Sequence, residues 1–255
     1  MKVAGLILVF VLLTSLNACM WGGNTNKQAP AIAKDTLVYT YQTIKQHAGD
    51  CDHKLNSGCM LFSMYYPIFK NAPTLASFLK LSDTAIISLK KSFFSGGKKD
   101  TIERSQTFEY DDSLQVIRQD SSLVTIQDNS YSYYGGAHGM DVIAFVNWDS
   151  RAKNVLKLND IFKPGYEQQL TKIAEIIFRR NEKLSQTASL ADDYFFKDDK
   201  FALNTNFLIT PLGIKFLYNE YEIKGYSAGP TELFIPYLQI KSLLRPNTVI
   251  TQYIK

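Results

Sequence analysis

The chain has 255 residues, with 28 Lys and Arg against 24 Asp and Glu and a formal net charge of +4. The two signs are interspersed, which excludes the basic stripe that nucleic-acid binding requires, and the length allows one large or two small domains with a sizeable core. Its 15 Tyr and 16 Phe suit protein or carbohydrate contact, since a tyrosine ring gives area at low entropic cost and a polar handle; the same rings equally fill a β-rich core.

At the start, Lys2 and the apolar run from Val3 to Leu13 read as an export signal, too short to span a bilayer. Leu16-Asn17-Ala18-Cys19 resembles the lipobox of bacterial lipoproteins, which implies removal of residues 1–18 as a signal peptide and acylation of Cys19. A secretory leader with a chance cysteine is the competing reading. Each buried acyl methylene contributes about 0.8 kcal/mol, so several chains anchor firmly. The expected address is the bacterial cell envelope, facing the periplasm or on the outer membrane surface in a Gram-negative cell. Residues 19–36, rich in Gly, Asn, Gln, Ala and Pro, read as a flexible tether.

Leu37 to His47 alternates β-branched and aromatic residues as a strand does, and Cys59 to Tyr66 reads as a second strand, stopped by Pro67. Between them, Cys51 and Cys59 flank a short turn. In an oxidising compartment they read as a disulfide, and with Cys19 acylated the remaining count is even. Zinc is the alternative, since His47, Cys51, His53 and Cys59 are suitable ligand types, but their spacing matches no standard finger. Ser82-Asp83 opens an amphipathic helix that ends near Gly96-Gly97. The Gly96-Gly97-Lys98-Lys99 quartet lacks the spacing of a phosphate loop. Residues 101–118 read as a charged helix, with Thr107 to Tyr110 as a possible extended piece.

Ser122 to Tyr134 and Met140 to Trp148 are strand-like and flank Tyr133-Tyr134-Gly135-Gly136-Ala137-His138-Gly139, whose glycines permit positive φ and close approach of backbone. Residues 147–153 read as a turn returning into Val155 to Leu158. Leu170, Ile173, Ala174, Ile177 and Phe178 share one helical face within residues 164–184. A hairpin follows over Phe207 to Thr210 and Ile214 to Tyr218, then a short strand from Glu232 to Pro236 and a last helix from Tyr237 to Leu244, stopped by Pro246.

Tyr134-Gly-Gly-Ala-His138-Gly, the helix, the hairpin, Tyr221-Glu-Ile with Tyr226 and Gly229, and Ile235-Pro-Tyr together resemble the RsiV-like domain family. The segment with Tyr41, Ile44 and Tyr65-Tyr66-Pro67 looks like the smaller domain that precedes it. The resemblance implies an α+β fold with an antiparallel sheet packed against helices: a small N-terminal α+β domain over residues 37–120 and an RsiV-like C-terminal domain over residues 121–250. It also implies business with the cell wall or with lysozyme. The anti-sigma route and the deacetylase activity of better-known relatives do not carry over, because the sigma-binding segment and the deacetylase metal ligands have no counterpart here.

His138 has two readings: a structural imidazole bonded to backbone, or a contact residue on a presented loop. A catalytic set around it is incomplete, with no Gly-x-Ser-x-Gly elbow and the other histidines in the N-terminal part. Asp111-Asp112, Asp192-Asp193 and Asp198-Asp199 read as solvated loop charges, since adjacent strand residues point to opposite faces. The expected function is a lipid-anchored binding protein for a lysozyme-like protein or a wall glycan, without catalysis, cofactor or metal. Its binding loop is Tyr133 to Gly139, flanked by Tyr221, Tyr226 and Gly229; a peptidoglycan hydrolase using His138 is the alternative.

Overall fold

The computed structural model describes residues 36–52, 58–96, 106–120 and 122–254. The expected signal peptide, Cys19, the greater part of the expected tether and His53 lie outside the described residues. The described chain belongs to one compact unit with an α+β fold. A six-stranded sheet runs in the order β1 (Tyr39–Gly49), β2 (Cys59–Phe69), β3 (Thr107–Gln119), β4 (Leu123–Tyr133), β5 (Met140–Asp149) and β6 (Asn154–Val155). All neighbours are antiparallel except β2 and β3, which are parallel. A parallel pair needs a crossover, and this one contains α1 (Pro73–Phe78) and α2 (Asp83–Gly96). Pro73 opens α1 at a position where a missing N–H is harmless, and the Ser82 hydroxyl accepts from the Ala85 N–H at the start of α2.

The charged helix expected over residues 101–118 is instead β3 from Thr107 onward. Its residues alternate: Tyr110, Asp112 and Leu114 turn to the side that α2 covers, and Glu109, Asp111 and Ser113 to the other. Asp112 is therefore buried rather than a solvated loop charge, whereas Asp192, Asp193, Asp198 and Asp199 are exposed. Pro67 does not stop β2, which runs on to Phe69. The Lys70 N–H donates to the Val38 carbonyl, so by alternation the Tyr41–Pro67 pair is a non-bonded one. The missing N–H of Pro67 then falls on the side of β3, whose pairing with β2 has already ended at Tyr65 and Ser113.

The Cys51–Cys59 disulfide is formed, with the Cα atoms 4.7 Å apart, which overturns the zinc reading. Cys59 is buried, and the Asp50 N–H donates to Gly58 O across the neck of the loop.

The remaining chain forms α3 (Leu158–Ile161), α4 (Glu167–Asn181), a three-stranded antiparallel sheet of β7 (Phe207–Ile209), β8 (Gly213–Tyr218) and β9 (Thr231–Pro236), and α5 (Tyr237–Ile240). The last helix expected to Leu244 is α5 followed by a 3-10 turn, Lys241–Leu243. Leu170, Ala174, Ile177 and Phe178 of α4 bury their common face against this second sheet and the aromatic cluster of Tyr194, Phe196 and Phe201.

Asparagines join the second sheet to the first. Asn206 and Asn219 accept from the N–H groups of Phe145 and Ile143 and both donate to Ile143 O. Asn147, fully buried, donates to Phe207 O at 2.7 Å and accepts from the Ile209 N–H at 2.9 Å. These amides satisfy an edge of β5 that its short neighbour β6 does not reach.

Candidate functional site

The β4–β5 connection, residues 134–139, is the glycine-rich stretch. Gly135 and Gly136 have φ of +87° and +107°, conformations that a Cβ opposes. Gly139 serves a different purpose: a Cβ there would lie 2.4 Å from the Tyr131 ring, which packs on the bare backbone. The Tyr133 hydroxyl donates to Gly136 O at 2.9 Å and ties the loop to its own strand. Tyr134, at 60% exposure, packs against Phe93 of α2 with centroids 6.0 Å apart, whereas Ala137 is exposed without such a contact.

His138 turns to the other half of the chain. Its ring stacks on Tyr226 at 3.7 Å and 17°, and lies beside Tyr221 at 6.2 Å and 21°. Nδ1 lies 2.8 Å from Gly139 O, a pure acceptor, so Nδ1 carries the hydrogen in the neutral ring. Nε2 is then the acceptor for the Tyr221 hydroxyl at 3.3 Å. Tyr221 holds a left-handed φ of +62°, and Gly229, φ +65°, ends the 3-10 turn Tyr226–Ala228. Thus His138, Tyr221 and Tyr226 converge, Gly229 shapes the loop that carries Tyr226, and Tyr134 belongs to a different contact. The imidazole is exposed as a residue and engaged at both nitrogens, so the two readings of His138 are not exclusive.

Beside the stack runs the outer face of the six-stranded sheet. Asp111, Tyr131 and Asp141 lie in register across three strands, and Ser113 lies opposite Asn129 across two of them. Partial burial, then the Glu109 and Asp141 carboxylates and the Tyr226 phenol, push the Tyr131 hydroxyl above its ordinary pKa. Amide side chains on this face bridge along the strands, Gln115 to Ser113 and Gln127 to Asn129, each at 2.9 Å. Tyr41 stacks on Tyr65 at 4.6 Å and 11°, and its hydroxyl accepts from the Val116 N–H. Rings, amides and hydroxyls arranged in this way fit a ligand with alternating apolar and hydroxylated surface.

Among the described residues no three His, Cys, Asp or Glu side chains gather as a metal set. The carboxylates that do meet are Asp112 and Asp128, on the opposite face of the sheet. Sequence reasoning took Asp112 for a solvated charge and left Asp128 out, because the two meet only through the pairing of β3 with β4. The signal that could have found them is the alternation of Tyr110, Asp112 and Leu114.

Two family matches cover different parts of the chain. Residues 53–141 match the family described as deacetylase PdaC, and residues 159–238 match a protein family of unknown function, DUF3298. The peptidoglycan-N-acetylmuramic acid deacetylase PdaC of Bacillus subtilis is 25% identical over 228 residues, 88% of this chain and 47% of the relative, so the chain spans about half of that protein's length. A DUF3298 family member from Bacteroides fragilis shares the fold with a TM-score of 0.67, at 22% identity over 86% of this chain and 97% of that one. Another from Pseudomonas aeruginosa has a TM-score of 0.62, at 24% identity over 82% and 96%. His138 lies in the first matched segment and Tyr221 and Tyr226 in the second, so the ring stack is one place where the two segments touch, Leu123 in the large core cluster being another. Matches to both parts, in this order and on this fold, identify the chain as one that carries the RsiV-like domains.

Proposed function

We propose that the protein is a binding module of the bacterial cell envelope, anchored by lipid at Cys19, that recognises a wall glycan through the loop 133–139 together with Tyr221 and Tyr226 and performs no chemistry on it. The observation that carries this reading is the Tyr221–His138–Tyr226 stack. It presents an aromatic edge, Tyr221 being 47% exposed, beside a sheet face of amides, hydroxyls and carboxylates. Sugar rings offer C–H faces to aromatic groups and hydroxyls to polar ones, and this surface supplies both. The relationship to a peptidoglycan deacetylase supports a cell-wall ligand. The hydrolase alternative needs an acid or base partner for His138, and both imidazole nitrogens are taken up by Gly139 O and the Tyr221 hydroxyl.

The test is co-sedimentation with insoluble peptidoglycan, in parallel with capture on immobilised lysozyme, followed by analysis of the bound wall. Retention on peptidoglycan, weakened by Tyr221→Ala and leaving the glycan intact, supports the proposal. Retention on lysozyme alone replaces the glycan by a protein partner, and release of acetate or of soluble fragments overturns the non-catalytic reading. The anchor has its own test: Cys19→Ser should abolish partition of the processed protein into detergent.

A further inference from the structure

Beneath α2, Asp112 lies opposite Ser130 and Asp128 opposite Leu114 on β3 and β4, which makes the two carboxyl groups diagonal neighbours on one face of the sheet. Asp112 is 6% exposed, and one oxygen of each carboxyl is buried with no hydrogen-bond partner among the described residues. The other oxygen of Asp112 accepts from the Tyr110 hydroxyl at 3.2 Å. A hydrogen bond between the two side chains is the contact that this diagonal, buried placement favours. Two ionised carboxylates have no hydrogen to place between them, so such a contact requires a proton.

Among the described residues no cation is paired with either carboxyl: Lys90, half-buried on α2 in phase with Ile86 and Phe93, makes no ion pair with them. Met64 of β2 is the parallel neighbour of Asp112, Ala144 of β5 lies opposite Asp128, and α2 packs Ile86 and Phe93 on this face. Asp111 turns to the other face of β3 yet still acts on Asp112 as a like charge, and Tyr110 is the remaining titratable neighbour. No ion pair among the described residues reaches either carboxyl.

We propose that Asp112 and Asp128 hold a single proton between them, and that losing it loosens α2 and the Tyr134 end of the glycine loop from the sheet. The connection is a run of rings. Tyr110 stacks on Phe62 at 5.4 Å and lies 6.2 Å from Phe93, which in turn meets Tyr134 at 6.0 Å. Burial first, and then the bond to and repulsion from Asp128, push the Asp112 carboxyl from 3.8 up to about 8; Asp128 is raised as well, by burial. A raised carboxyl pKa means that the folded protein holds a proton the unfolded chain has released. The contribution to stability is therefore complete at acid pH and is lost as pH rises towards 8.

Hydrogen exchange on the full chain at pH 6 and pH 9, corrected for intrinsic rates, reads the loosening directly. Protection of the α2 amides should fall about tenfold over this range, equivalent to roughly 1.4 kcal/mol, and the Tyr134 ring resonances should shift with it. In Asp128→Asn the amide donates permanently to Asp112, and protection should change less than about twofold; Asp112→Asn is the reciprocal variant and should behave alike. Carboxyl carbon resonances should show at least one of the two aspartates titrating above pH 7. Equal losses of protection in wild type and Asp128→Asn, or both carboxyls titrating below pH 5, would overturn the proposal.

Discussion

The two sheets of this protein are held by different means. The second sheet and α4 enclose one large cluster, in which Phe178 meets Tyr194, Phe196 and Phe201 with centroids 5.1, 5.6 and 5.1 Å away. The six-stranded sheet has two smaller clusters, and its long strands carry, at Asp112, Thr125, Asp128 and Trp148, buried polar atoms without partners among the described residues. The difference teaches where specificity and stability reside. A ring cluster gains from area alone, whereas a sheet with one solvated face depends on register, disulfide and side-chain bonds to fix which residues face out.

Four substitutions would break or sharpen that contrast. Phe178→Ala, in the ring cluster, should lower unfolding free energy by about 3–5 kcal/mol in urea titration, the largest effect expected. Asn147→Ala removes the amide that satisfies Phe207 O and the Ile209 N–H in a buried position, so it should remove about 2–4 kcal/mol; a loss below 1 kcal/mol would mean that water replaces the amide. Gly136→Val should lower stability by about 1–3 kcal/mol through its φ of +107°, since no neighbour lies within 4 Å of a Cβ there. The smallest effect is expected at His138→Ala, about 1 kcal/mol in thermal unfolding because the ring is exposed, together with weaker retention on peptidoglycan. Loss of stability at His138 as large as at Asn147 would show that the stack is a structural joint first.

Much of the second half was legible in the sequence. The spacing of Leu170, Ala174, Ile177 and Phe178 already specifies the buried face of α4, and the turn residues Pro211 to Gly213 already place the β7–β8 hairpin. β3 was legible only as the extended alternative over Thr107 to Tyr110, because the charges of Glu109 and Asp111 dominate a count that ignores alternation. α1 escaped too, since a helix of six residues shows less than two turns of periodicity. Of the site, the glycine loop was readable from its composition, but the bond from Tyr221 to His138 spans 83 positions and no local pattern encodes it. The family motifs supplied the hint that Tyr221 and Tyr226 belong with the loop. They did not supply the stacking or the tautomer.

The asparagine bonds along β5 have a consequence for assembly. An approaching strand must find free N–H and C=O groups at an edge, and the amides of Asn206 and Asn219 already occupy the N–H groups of Ile143 and Phe145 and the Ile143 carbonyl. At those positions the rim is closed to a further strand. Among the described residues β1, at the opposite rim, keeps an eleven-residue side with no strand beside it. Within the six-stranded sheet, strand addition is therefore open along β1 and closed along β5 at Ile143 and Phe145.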